Sequence, residues 1–89
     1  MGVIQVTVLG FKQQRNVIDV CASKELLRSV TVLQLKMKIE ENLLRGIGGV
    51  DDFRLVFAGI QMTDADALSS YGIEHMSTIQ LLMRLHGGV

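Results

Sequence analysis

The sequence predicts an α+β fold: one mixed sheet of four to five strands packed on a single main helix. Alternating apolar and polar segments lie near both ends, one longer stretch has helical spacing, and glycine-bearing connections separate them. At 89 residues the chain has room for one core. Hydrophobic residues make up 48% of it and aromatic residues only 4%. The core must therefore be built from Val, Leu, Ile and Met rather than from stacked rings.

Each element has its own signal. From Val3 to Leu9 the order VIQVTVL sets Ile4, Val6 and Val8 on one face and Gln5 and Thr7 on the other, the period of a half-buried strand. Gly10 and the polar residues after Phe11 make a connection short enough for a hairpin into a second strand, Asn16 to Cys21. A link this short forces an antiparallel pair. Ser23 to Val30 has no clean period and reads as an extended loop with one helical turn around Glu25 to Leu27. TVLQ, Thr31 to Gln34, is a capping box, so a helix begins there. Val32, Leu35, Ile39 and Leu43 form its buried stripe, Lys36, Lys38, Glu40 and Glu41 are expected to face solvent, and Gly46 is the expected C-cap.

After Gly48 and Gly49, FRLVF (Phe53 to Phe57) alternates, with Phe53, Leu55 and Phe57 on one side and Arg54 and Val56 on the other. Ala58 and Gly59 make a tight turn into a short strand at Ile60 to Met62. Asp64 to Tyr71 is a loop with a short helical turn, ended by Gly72. Thr78 to Arg84 is the last strand, with Ile79, Leu81 and Met83 inward and Gln80, Leu82 and Arg84 outward. One helix covers one face of one sheet, so the other face must meet water.

Composition narrows the function classes. Nine basic and nine acidic residues cancel, so there is no general charge footprint for nucleic acid or for a membrane surface. Cys21 is the single cysteine, which leaves no internal disulfide and no CxxC pair. Cys21, His75 and His86 have no spacing that suggests a nucleophile with its base or a metal site. No enzyme activity, cofactor or metal is expected. The N-terminus lacks the basic region of a signal peptide and no apolar run reaches the roughly 20 residues of a membrane helix. The expected location is cytoplasmic, nuclear or both.

RLVFAGIQM (Arg54 to Met62), ALSSYGI (Ala67 to Ile73) and STIQLLMRLHGG (Ser77 to Gly88) closely resemble, without a gap, the C-terminal half of the ubiquitin family. TVLQLKMKI (Thr31 to Ile39) is similar to the start of that family's helix, and the first hairpin matches in pattern. The segment between Val20 and Thr31 is about six residues longer than in ubiquitin and the helix-to-strand connection about three longer. The resemblance implies a β-grasp domain over residues 1–84 and a flexible diglycine tail over residues 85–89.

It also implies a chemistry. In this family the carboxylate of the second tail glycine is adenylated, carried as a thioester and joined to a lysine amine. On that pattern Gly88 is the attachment point, Arg84, Leu85, His86 and Gly87 are the recognised tail, and Val89 must first be cut off by a processing protease. From Leu85 to Gly88 the tail extends roughly 13 Å at about 3.3 Å per residue, slender enough for a narrow channel. Read without the resemblance, Gly-Gly is a flexible linker. His86 stands where ubiquitin has an arginine, so a mostly uncharged imidazole occupies a position by which activating enzymes tell modifiers apart.

Leu9, Val56 and Leu82 match the apolar patch through which ubiquitin meets its receptors, with Gln80 in place of a histidine and Gly59 and Ile60 flanking. The plainer reading is scattered surface apolar residues. Ile60 and His75 stand where ubiquitin carries chain-building lysines, and Ile60 is expected to enlarge the patch. Lys12, Lys36 and Lys38 remain as candidate acceptors. The implied partners are activating and conjugating enzymes, a processing protease and ubiquitin-binding receptors, met by a monomer. Two other functions fit the same residues: a non-conjugated interaction domain of a larger protein that docks on receptors or the proteasome, and a sulfur carrier with the same Gly-Gly end.

Overall fold

A computed structural model describes residues 3–10, 13–45 and 48–83. Strand β1 (Ile4–Leu9) turns back through Gly10 into β2 (Arg15–Cys21), and the Gly10 N–H donates to the Gln14 carbonyl at 2.9 Å to close the hairpin. Then come a 3-10 turn (Leu26–Ser29), helix α1 (Val32–Leu43), another 3-10 turn (Val50–Asp52), strand β3 (Phe53–Phe57), the two-residue strand β4 (Ile60–Gln61), a further 3-10 turn (Leu68–Tyr71) and strand β5 (Thr78–Met83). The loop expected before the helix thus contains its helical turn, one residue later than Glu25.

The strands form one mixed sheet in the order β2-β1-β5-β3-β4. β1 and β2 are antiparallel, as a short hairpin requires, and so are β3 with β4 and β3 with β5. Only β1 and β5 run parallel, with Thr7 opposite Thr78 and Leu9 opposite Gln80. One helix across a mixed five-stranded sheet is the β-grasp architecture.

The helix starts where the capping box places it. Thr31 Oγ1 accepts from the Gln34 N–H at 3.2 Å, and Gln34 Oε1 accepts from the Thr31 N–H at 2.9 Å. Two further N-terminal N–H groups donate to the loop ahead of β5: Val32 to the Asp66 carbonyl and Leu33 to the Asp64 carbonyl. The first turn is thereby both capped and fastened. Leu44, not a glycine, occupies the C-cap position; Gly46, the expected cap, lies outside the described residues.

The core lies between α1 and one sheet face. Val32, Leu35 and Ile39 from the helix and Val6, Val8, Phe53, Leu55 and Ile79 from the strands are fully buried. Burial of side chains of this size contributes roughly 1.5–3 kcal/mol each. Cys21 packs half-buried at the core's edge, and its thiol donates to the Ser23 carbonyl at 3.3 Å.

Lys36 corrects an expectation. It is 6% exposed rather than solvent-facing. Its Nζ lies 2.8 Å from Asp64 Oδ1 and 5.6 Å from the centre of the Phe53 ring. Four residues after Val32 and three before Ile39, it sits on the flank of the buried stripe, and its charge is tolerated there because it is paired.

Candidate functional site: the open face of the sheet

The face of the sheet away from α1 carries a row that crosses all five strands. Arg15 pairs with Leu9, Leu9 with Gln80, Gln80 with Val56, and Val56 with Gln61. Directly paired residues point to the same side of a sheet. At the usual strand spacing the row spans about 19 Å, wide enough to seat a helix of about 10–12 Å diameter. Leu82, paired with Arg54, adds an apolar side chain in the next row.

Exposure across this surface is uneven. Leu9 and Val56 are half-buried, Leu82 is 39% exposed, and Gln80, Arg15, Arg54 and Gln61 are exposed. The apolar centre thus has amides within it and a guanidinium on each side. Carboxylates are absent from this row; Asp19 lies farther along β2, where its Oδ1 accepts from Gln5 Nε2 at 2.7 Å. At the same far end Thr7, flanked by Val17 and Thr78, is 7% exposed.

Register brings Leu9, Val56, Gln80 and Leu82 together, and separates Ile60 from them. Ile60 pairs with Phe57, so the pleat gives it the Phe57 side, and Gln61 takes the place beside Val56. At 58% exposure Ile60 adds apolar surface around the edge of the sheet, not to the row itself. The reason is the two-residue turn: Ala58 (φ 53°) and Gly59 (φ 80°) both take positive φ, as a tight primed hairpin requires. Arg15 and Gln61 were missed in the sequence because they join the row through hairpin register with Leu9 and Val56, which alternation within a single strand does not give.

Among the described residues no three His, Cys, Asp or Glu side chains come together to hold a metal ion. No helix among the described residues is long and apolar enough to cross a membrane. In its chemistry the arrangement joins apolar side chains (Leu9, Val56, Leu82) with amides (Gln80, Gln61) and guanidinium groups (Arg15, Arg54). Comparison with known families decides its lineage, because the Ubiquitin family model matches residues 6–86.

The chain belongs to the ubiquitin family.

Membership points to protein partners, and in a ubiquitin-family domain the lysines are the next groups to place. Lys38 is exposed on the outer side of α1. Lys36 is held by Asp64 and Phe53 and has no free amine to offer. Lys12 lies outside the described residues, and so do the tail residues Arg84, Leu85, His86, Gly87, Gly88 and Val89. Lys24, passed over in the sequence, is exposed in the segment between β2 and α1.

His75 has a defined role in the fold. Its Nδ1 accepts the Gln5 N–H at 3.0 Å, while the Met76 N–H donates to the Gln5 carbonyl at 2.6 Å. The His75–Met76 turn therefore continues the β1 ladder beyond its parallel partner strand. Because Nδ1 accepts, the proton of the neutral ring is on Nε2.

Proposed function

We propose that this protein is a ubiquitin-like modifier, joined to target lysines through Gly88 once Val89 is removed, and read by receptors through the open sheet face. The observation that carries the recognition half is the Arg15–Leu9–Gln80–Val56–Gln61 row with Leu82 beside it. An apolar centre on a face that the fold leaves uncovered serves a partner rather than the core. Arg15 and Arg54 favour partners whose rim is acidic. The conjugation half is supported by the order of the sequence: strand β5 leads directly into Arg-Leu-His-Gly-Gly, the family's tail pattern in register. In this reading the chain is a substrate of activating and conjugating enzymes and has no catalytic residue of its own.

A second reading, a non-conjugated interaction domain, is favoured by Val89. A residue beyond Gly88 masks the carboxylate that conjugation needs. The two readings share the open face and differ at the tail.

The deciding experiment incubates the full chain with cell extract and ATP and follows it by mass spectrometry. Loss of Val89 together with tail remnants on lysines of other proteins is the expected result. An intact Val89, with receptor capture that Val56→Ala abolishes, would establish the non-conjugated domain instead. A thiocarboxylate at Gly88 would establish a sulfur carrier.

A further inference from the structure

We infer that the free edge of strand β2 pairs with the same edge of a second copy of this chain, antiparallel and with Val17 opposite Val17. The inference concerns the sheet alone and stands whether or not the tail is conjugated. It sets a weak, self-paired dimer in place of the monomer that the resemblance implied.

β2 ends the sheet on one side, and no strand among the described residues pairs with its outer edge. The hydrogen bonds show which of its backbone groups face out. The Gly10 N–H donates to the Gln14 carbonyl at 2.9 Å, so Gly10 and Gln14 are a hydrogen-bonded pair. Such pairs alternate along an antiparallel ladder, which assigns the next bonds between β1 and β2 to Val8–Asn16 and Val6–Ile18. Arg15, Val17 and Asp19 therefore turn their N–H and C=O groups outward. β1 has the same phase, because the residues opposite Val17 and Asp19 point away from β2. The Thr7 N–H donates to the Ser77 carbonyl at 2.8 Å, and the Gln5 N–H to His75 Nδ1 at 3.0 Å.

This edge is unguarded. Edge strands are commonly blunted by lysine, proline or a bulge. Residues 15–19 contain no lysine or proline, and the irregularity of the ladder falls beyond Asp19, between the Gln5–Asp19 and Ile4–Cys21 pairs. The helix leaves the stretch open too, since a groove of about 230 Å³ lies between Val17, Ile18 and Asp19 on β2 and Lys38 and Asn42 on α1. Val17 is 52% exposed.

Charge selects the register. Arg15, Val17 and Asp19 point to the same side of the strand, with Arg15 and Asp19 spaced equally on either side of Val17. About 13 Å separates the two charges along the strand, and neither forms an ion pair with a described residue. Asp19 Oδ1 accepts from Gln5 Nε2, which leaves Oδ2 for a guanidinium. Two such edges bond when outward-turned residues stand opposite one another. Centred on Arg15, that pairing sets cation on cation; centred on Asp19, it sets carboxylate on carboxylate. Registers between these and Val17 leave the charges facing valine. Centred on Val17, each Arg15 faces Asp19 of the other copy and the two valines meet, the self-complementary arrangement that a two-fold axis requires. Three hydrogen-bonded pairs result, each exchanging N–H···O=C bonds in both directions. The two five-stranded sheets become one, with both open faces on the same side.

A contact of five residues a side is smaller than a standard interface of about 1,600 Å², so the pairing is weak. Hydrogen exchange and sedimentation equilibrium of the full chain are therefore compared at about 0.02 mM and about 1 mM. The Arg15, Val17 and Asp19 amides are expected to gain protection on concentration, while Asn16 and Ile18, already bonded to β1, stay unchanged. Association of the unaltered chain should also weaken as salt rises. Arg15→Asp or Asp19→Arg alone sets like charges opposite one another and is expected to weaken association about tenfold or more. The double variant, Arg15→Asp with Asp19→Arg, and an equimolar mixture of the two single variants are each expected to restore it. A chain that stays monomeric at about 1 mM would overturn the inference. Association that strengthens with salt, that survives either single reversal, or that leaves the Val17 amide unprotected would overturn the edge pairing in the same way.

Discussion

The two faces of the sheet share one backbone and differ in what their apolar residues are for. On the covered face Val6, Val8, Phe53, Leu55 and Ile79 meet α1 and are fully buried. On the open face Leu9, Val56 and Leu82 meet amides, guanidinium groups and water. The first set supplies the driving force of folding. The second set stays partly exposed, with Leu9 and Val56 half-buried and Leu82 39% exposed. A substitution on one face should therefore be read by a melt, and on the other by a binding assay.

The sharpest way to break this division is Phe53→Ala. It removes the largest fully buried side chain together with the ring beneath the Lys36 ammonium, and a cost of about 3–5 kcal/mol is expected in denaturant unfolding. A loss below about 1 kcal/mol would mean that the covered face collapses around the gap and is not the tightly packed partner described.

Next comes the ion pair at the margin of that face. Asp64→Ala strands a buried ammonium, and about 3 kcal/mol should be lost. Lys36→Met keeps the stem's packing and leaves Asp64, whose side chain is 44% exposed, free to rehydrate. Its expected cost is under about 1 kcal/mol. Equal losses in the two variants would show that the pair's attraction, and not the desolvated amine, sets the energy.

A smaller loss is expected at the helix start. Thr31→Ala removes the hydroxyl that accepts the Gln34 N–H and should cost about 1 kcal/mol. Hydrogen exchange at the Gln34 amide locates the effect; protection unchanged there would assign the stability to the fastening at Asp64 and Asp66 instead.

Smallest in a melt, and largest in a binding assay, is Leu82→Ala. Stability should change by no more than about 0.5 kcal/mol, since the side chain is 39% exposed on the face away from α1. Receptor capture should weaken about tenfold or more. If the melt moves and capture does not, the open face is structural and its assignment as a recognition surface fails.

What the sequence made legible follows the same division. Local signals sufficed for the covered face: alternation along the strands, the TVLQ box and the Val32, Leu35, Ile39 stripe each depend on residues within a turn or two of one another. Burial of Lys36 had a signal in its spacing from Val32 and Ile39, and was missed because a stripe is read from apolar residues alone. The open face is assembled by pairings between distant parts of the chain, such as Leu9 with Gln80. No period reports these. Ile60 shows the limit most clearly, since alternation does not carry through a two-residue turn and its side is decided by register with Phe57. Alternation turned Val56 and Leu82 outward and the resemblance added Leu9, yet the resemblance also set Ile60 beside them, where pairing puts it on the Phe57 side.

The strand order has a consequence for the making of the molecule. Among the described strands β5 comes last in the chain and is the one that joins the β1–β2 hairpin to the β3–β4 hairpin in the sheet. Until residues 78–83 leave the ribosome, two separate ribbons and a helix exist with no common sheet, and an isolated hairpin is marginal in water. A nascent chain therefore joins its two ribbons into one sheet only after residues 78–83 have emerged. Any truncation that removes β5 gives not a shortened domain but two unjoined halves.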